Sequence, residues 1–423
     1  MKTFLTDRGN IILLSFYFLL VFTSITSIFL AEYSNGANPT LFIKQILFFI
    51  VSLGLIYLIQ KIDIFTLEKF SIVLFLFSIA ALLLLLVMPE SIAPTTNGAK
   101  AWFNFGLFTV QPSEFAKIST VAAVSLLLKQ EHFHKLPDIV KLLELGLIIA
   151  IPFFLIAKEN DLGNALFFIF LFLLLAFIVS SKNKTFLRIY VIILFAIGLI
   201  IAAAMYFPKL LNIIGFKNYQ SNRILSWIYP ESFRLDFSYQ SNLVLKEISK
   251  GSLTGTFSEN THFVPELYND FIFTVIAKSF GFMGSFLFIA LYLVFLLYIL
   301  RIAKKCQHGN FSYYFTILAV FTLAFPFIIN TYSTTAMIPV IGISLPFISY
   351  GGSSLVANSI LFAIILKINN TIYYEQLADT EEYEEDFEEN EYAASFEDDT
   401  NYEEPLIQDT YQELHNNNKH KNI

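Results

Sequence analysis

Ten long apolar runs separated by polar connections set the pattern of this chain. They fall at 11–31, 41–60, 70–88, 112–128, 142–157, 161–181, 186–207, 270–300, 311–330 and 344–367. A helix rises about 1.5 Å per residue and the hydrocarbon layer is roughly 30 Å thick, so runs of this size predict membrane-spanning helices. The expected fold class is an all-α polytopic membrane protein with ten transmembrane helices. The longest interruption, 208–269, lies between the seventh and eighth helices and is too long for a bare connector. Within it, the stretches around Ile224, Leu225, Trp227 and Ile228 and around Leu243 to Ile248 mix apolar and polar residues as surface-lying helices do.

Composition agrees with this pattern. At 56% hydrophobic and 14% charged, with 48 Phe among 423 residues, the chain has too little polar surface to cover a soluble domain of this size. The first run is followed by no small-residue cleavage pattern, which predicts a retained helix. A single cysteine, Cys306, excludes an internal disulfide and a cysteine-based metal cluster, and the six histidines are scattered.

The net charge of −7 hides two opposite parts. Residues 371–423 hold 17 acids against two lysines, a net −15, so residues 1–370 carry +8. The acidic stretch, with runs such as EEYEEDFEEN, is expected to be a disordered tail, since it has little to bury. In the body, basic residues collect in alternate connections: Lys61 and Lys69, Lys129 to Lys141, Lys182 to Arg188, Arg301 to Lys305. The positive-inside rule then places both termini in the cytoplasm and the loops around Trp102, Asp161 and 208–269 on the outer face.

Four clusters on that outer side could carry chemistry. Glu266 and Asp270 stand four residues apart where the long loop meets the eighth helix. Either Asp270 is a base at a membrane surface, or it only caps the first turn. Glu114 and Lys117 are spaced i,i+3 behind Pro112, and a charged pair at that depth is either mutually compensating or lines a polar cavity. In KENDLGNA, Asp161 suits a helix cap, with Glu159, Gly163 and Asn164 beside it. Finally PVIGISLPFISYGGSS, with its prolines, Gly342, Gly351, Gly352, Ser353 and Ser354, breaks the backbone before the tenth helix, which is tolerated only in a buried or wet setting.

The strings QPSEFAK, PELYNDFIFTVIAKSFGFMG and LPFISYGGSS together resemble the SEDS family, the RodA, FtsW and SpoVE proteins, over about 1–370. The loop NGAKAWFNFGLFTVQPSEFAK leans toward the RodA, or elongation, branch. The resemblance implies a peptidoglycan glycosyltransferase that polymerises lipid II at the outer face of the bacterial cytoplasmic membrane, releasing undecaprenyl pyrophosphate. It implies a class B penicillin-binding protein as partner in an elongation or division complex, and no nucleic acid. The family's catalytic acid falls on Asp270. Its supporting or substrate-binding positions fall on Glu114, Lys117, Trp102, Arg223, Glu266, Asp161, Gly351, Gly352 and Ser353. No cofactor is required by the resemblance, although a divalent cation, Mg or Mn, would suit a pyrophosphate leaving group.

Departures from the family are concentrated near the acid. Tyr268 and Asn269 stand where His and Thr are usual, Lys278 and Ser279 replace two acids, and a glycine-rich run is reduced to Gly251 and Gly255. Two readings of another kind stay open on the residues: a transporter or flippase for a lipid-linked precursor, and a non-catalytic scaffold for the penicillin-binding protein.

Overall fold

A computed structural model of the chain describes residues 8–34, 40–96, 98–106, 108–180, 185–206, 218–229, 237–257 and 264–400. The helices are α1 (Arg8–Ser34), α2 (Leu41–Gln60), α3 (Ile64–Val87), α4 (Pro112–Lys129), α5 (Glu131–Lys135), α6 (Asp138–Lys158), α7 (Leu162–Ser180) and α8 (Thr185–Tyr206). They continue as α9 (Asn218–Ile228), α10 (Phe237–Lys250), α11 (Ile272–Lys305), α12 (Phe311–Thr334) and α13 (Gly352–Thr400). Ten of these have 18 residues or more, and eight of the ten are long and apolar enough to cross a membrane. The other two are α4 and α8. The fold is an all-α polytopic membrane protein, with 207–271 joining α8 to α11.

α4 is more polar than the spans around it, and it is enclosed on most sides. Fourteen of its residues are buried, and it packs against α3, α6, α7 and α12. Its small residues, Ser113, Ala116, Ser119, Ala122, Ala123 and Ser125, let four neighbours approach where a Leu-rich helix would hold them off. Pro112 starts it at a position where the missing N–H costs nothing. Just before it, in the loop from α3, Phe103–Asn104 (β1) and Thr109–Val110 (β2) pair antiparallel.

Two expectations need correction. The eighth run does not begin at Asp270: α11 starts at Ile272 with Phe271 in the capping position, and no side chain caps it. The same helix breaks at Gly281 (φ 66°, ψ −164°), which explains a length beyond one span. The tenth helix starts at Gly352 rather than Ser344. Pro346 disfavours a helical residue before it, Phe347 sits in the left-handed region (φ 66°), and Ser349 Oγ takes the Leu345 amide instead. α13 runs on through Thr400, in a Glu-rich and Ala-containing sequence that favours helix. Residues 401–423 lie outside the described residues, as do 207–217, 230–236 and 258–263 of the long loop. Met1–Asn369 form one compact unit, and Asn370–Ile423 a second whose described part is this helical extension.

The break at Gly281 is built by the chain just after α10. Thr256 N donates to the Lys278 carbonyl, Phe282 N to Ser252 and Met283 N to Leu253. A Cβ on Gly251 would come within 2.2 Å of the Ala277 carbonyl oxygen, and one on Gly255 within 2.1 Å of that of Ser279. These two glycines are therefore needed where two backbones touch. Lys278 is equally accounted for: its ammonium lies 3.1 Å from Glu247 on α10, with both side chains buried. A base at 278 is matched by an acid on the loop helix packed against it.

Candidate active site

The turn 264–271 is organised by one carbonyl. Glu266 sits in the left-handed region (φ 55°), and its carbonyl oxygen accepts the amides of Asn269, Asp270 and Phe271. Asn269 Nδ2 also donates to its carboxylate at 2.8 Å. Gln240 of α10 donates to the Pro265 carbonyl, tying the loop helix to the turn. On the opposite side Tyr350 N donates to the Tyr268 carbonyl and Ser349 Oγ to that of Asn269. The PELYND turn is thereby stapled to the LPFISYGG loop.

That loop is in turn held by α1 and α2. Ser24 Oγ donates to the Ile348 carbonyl, and Gln45 Nε2 to that of Ser349. Gly351 N donates to Gln45 Oε1. Gly352 is required because a Cβ would lie 2.6 Å from the Phe48 ring. Ser353 Oγ accepts the Gln111 amide and donates to the Thr109 carbonyl, joining the loop to the start of α4. Gly351, Gly352 and Ser353 thus engage neighbouring elements of the protein itself.

Asp270 stands between these pieces, partly exposed. Its Oδ2 lies against Gly342 (φ 73°), where a Cβ would approach to 3.1 Å. Gly342 packs in turn on Gly163 at the start of α7, which has room for no Cβ of its own. Desolvation by the enclosing protein, then the nearby Glu266 charge, push the Asp270 carboxyl up to about 7, with Asp161 adding to the rise and Arg223 opposing it. Arg223 reaches this region from α9, which is fastened by Arg223 Nη1 to the Val340 carbonyl and Trp227 Nε1 to that of Ala336.

Beneath Asp270 runs a polar relay across α4 and α7. Asp161 caps α7 by accepting the Asn164 amide, and its Oδ2 also receives Gln111 Nε2 at 2.9 Å and Asn164 Nδ2 at 2.8 Å. Asn164 Oδ1 accepts Lys117 Nζ at 3.0 Å, and Lys117 is paired with Glu114 at 2.9 Å. Both ends of that ion pair are nearly inaccessible, so the cation is committed to Glu114 and Asn164. The structure thus brings Asp270, Glu266, Asp161 and Arg223 together, with Lys117 and Glu114 linked to them through Asn164. Trp102, half-buried ahead of β1, makes no hydrogen bond with any of these among the described residues.

Glu159, at the end of α6, is fully enclosed, and neither carboxyl oxygen meets a donor. Burial, reinforced by Asp161, pushes it up to about 9 from an ordinary 4.5, so it is a neutral acid at neutral pH. The folded state then holds this proton more tightly than the unfolded chain. The stability this contributes is present at low pH and is lost as pH climbs from about 4.5 through about 9. Glu159→Gln, neutral at every pH, is expected to melt with the parent protein near pH 5 and a few degrees above it near pH 9. Parallel melting curves across that range would show that Glu159 is not a buried neutral acid.

Among the described residues no three His, Cys, Asp or Glu side chains converge to hold a metal ion. Among those residues the acids near Asp270 form no protein-built cage for Mg or Mn.

A polytopic helical membrane fold thus carries a raised carboxyl in the turn just ahead of a broken helix, with a buried charge relay beneath it. The sequence profile of the FtsW/RodA/SpoVE family, described as cell cycle proteins, matches residues 8–374, and the chain belongs to that family. It is 29% identical over 333 residues to a probable peptidoglycan glycosyltransferase FtsW of Wigglesworthia glossinidia brevipalpis, covering 77% of this chain and 82% of the relative. It is also 29% identical over 296 residues to the peptidoglycan glycosyltransferase MrdB of Escherichia coli, covering 68% and 75%. The fold matches a chain of a peptidoglycan synthase complex studied for coordination of polymerization and crosslinking (TM-score 0.70, 24% identity, 87% of this chain and 98% of the other). It also matches the rod shape determining protein RodA of Thermus thermophilus (TM-score 0.59, 22% identity, 87% and 97%).

Proposed function

We propose that this chain is a peptidoglycan glycosyltransferase that polymerises lipid II at the outer face of the bacterial cytoplasmic membrane, with both termini in the cytoplasm. The observation that carries the reading is Asp270, a carboxylate raised to about 7 at the head of a broken helix. A general base works best when its pKa lies near the working pH. In the reaction Asp270 takes the proton of the 4-hydroxyl of incoming lipid II as that oxygen bonds to the anomeric carbon of the growing strand. The bond from that carbon to the phosphate oxygen breaks, and undecaprenyl pyrophosphate leaves with the electron pair. Arg223 is the cation placed to meet the charge of the leaving group. Lys117, engaged with Glu114 and Asn164, holds Asp161 in place instead.

Equal identity to relatives named FtsW and MrdB supports a proposal at the level of glycan polymerisation, which elongation and division share. A class B penicillin-binding protein is the proposed partner, and the likeness to a chain of a peptidoglycan synthase complex supports it. The transport reading rested on the breaks within 339–358 and on Glu114 and Lys117; that pair is closed on itself at 2.9 Å and on Asn164 at 3.0 Å, which supports bracing over ion coupling. The test is purified protein in proteoliposomes with fluorescent lipid II and candidate class B partners. A glycosyltransferase converts the label into longer glycans, whereas a transporter moves it across the bilayer at unchanged length.

The charges around Asp270 set the pH at which the base works. Because Asp270 must be ionised to accept the proton, polymerisation is expected to rise with pH through about 7. Glu266→Gln removes a charge that raises this carboxyl, so the rise should move to lower pH. Arg223→Ala removes one that lowers it, so the rise should move to higher pH, each on the order of one pH unit or less. Shifts of the same sign in the two variants would refute this arrangement.

A further inference from the structure

Asn330 lies near the C-terminal end of α12, in the apolar run AFPFIINTYST, and is fully enclosed. Its Nδ2 donates one hydrogen bond to the backbone carbonyl of Asp270 and one to that of Ile343, each at 2.8 Å. Both partners are carbonyls, which accept only, so the amide nitrogen must be the end that faces them. The Oδ1 of the same side chain meets no donor among the described residues, which leaves these two bonds as its polar work.

The two carbonyls belong to different segments. Asp270 ends the turn that leads into α11. Ile343 follows Gly342, the residue against which the Asp270 carboxylate rests. A single carboxamide therefore holds both the backbone of the acid and the wall beneath its carboxylate. These two hydrogen bonds give the contact between 341–343 and the PELYND turn a direction that apolar packing does not supply. From the site side, Glu266, Arg223 and Asp161 are the charged groups that act on Asp270.

We propose that Asn330 is a positioning residue for Asp270, fixing the distance between the Asp270 peptide and the 341–343 loop so that the carboxylate is aimed at the acceptor hydroxyl. The inference rests on the reading of Asp270 as the base. Misplacing a reacting group by about 1 Å can cost about 100-fold in rate. Asn330→Ala, assayed on full-length protein with its partner and fluorescent lipid II, should lower kcat about 10- to 100-fold. KM should stay within about twofold, since no substrate contact is removed. The rise of rate with pH should also move to lower pH, because the loosened carboxyl regains water while Glu266, Arg223 and Asp161 keep their charges. Asn330→Ser retains one donor and should fall between Ala and the parent protein.

A merely structural role would reduce the amount of monodisperse protein and leave kcat per folded molecule and the pH profile unchanged. That result, or failure of both variants to fold, overturns the proposal. Asp270→Asn measured in parallel separates the two claims. If that variant is inactive while the Asn330 variants behave as the parent does, only the positioning role fails. If Asp270→Asn polymerises normally, the reading of the base has failed first.

Discussion

Lys117→Met is expected to cost about 3–5 kcal/mol of stability, the usual result of removing one partner from a buried ion pair. The Glu114 carboxylate would be left nearly inaccessible without its ammonium, and would have to stay charged at high cost or take up a proton. Asn164 would lose the donor on its Oδ1 and with it the brace that aims its Nδ2 at Asp161. Glu114→Gln with Lys117→Met removes both charges and should recover most of the stability, since a buried pair exchanged for neutral groups of similar volume is often close to neutral. Polymerisation should not recover with it, because the Asn164 link to Asp161 is still broken. Thermal melting and glycan synthesis on the two single variants and the double form a complete cycle. Additive stability losses, or a double variant as active as the parent protein, would show that the pair neither compensates its partner nor supports the site.

The spans were legible in the sequence because the membrane demands them. Apolar runs long enough to cross lipid have few alternatives, and α2 was placed correctly at both ends, Leu41 and Gln60. The failures came where composition and backbone disagree. The stretch from Ser344 to Tyr350 is apolar enough to extend a helix, yet Pro346 and the left-handed Phe347 keep it a loop.

At the site, residue identity was readable and connection was not. Glu114, Lys117, Asp161 and Asn164 all stand out as polar groups in apolar surroundings. That they form one relay depends on how α4 packs against α7, which periodicity does not report. Lys117 could be read as a phosphate donor until its partners were seen. Asn330 and Gln45 were overlooked although a carboxamide within an apolar span is itself a signal, since every such group must find partners inside the protein. Gly251 and Gly255 were read as remnants of a longer run, and only the approach of 251–255 to the Gly281 break gives each a reason.

Asp270→Asn is expected to have the largest effect on chemistry. It keeps the size of the side chain and removes the only basic lone pair proposed to accept the acceptor proton, and loss of a general base typically costs about 100- to 10,000-fold. The fold should not suffer: Asp270 caps no helix, and its carbonyl, which Asn330 holds, is unchanged. Lipid II should still bind. The most direct measurement is therefore the glycan ladder formed from fluorescent lipid II by the purified protein with a class B partner, comparing parent and Asp270→Asn at equal monodispersity and melting temperature. Ladders in the parent that are absent in the variant are the predicted result, and ladders of equal intensity in both would contradict the assignment of Asp270 as the base.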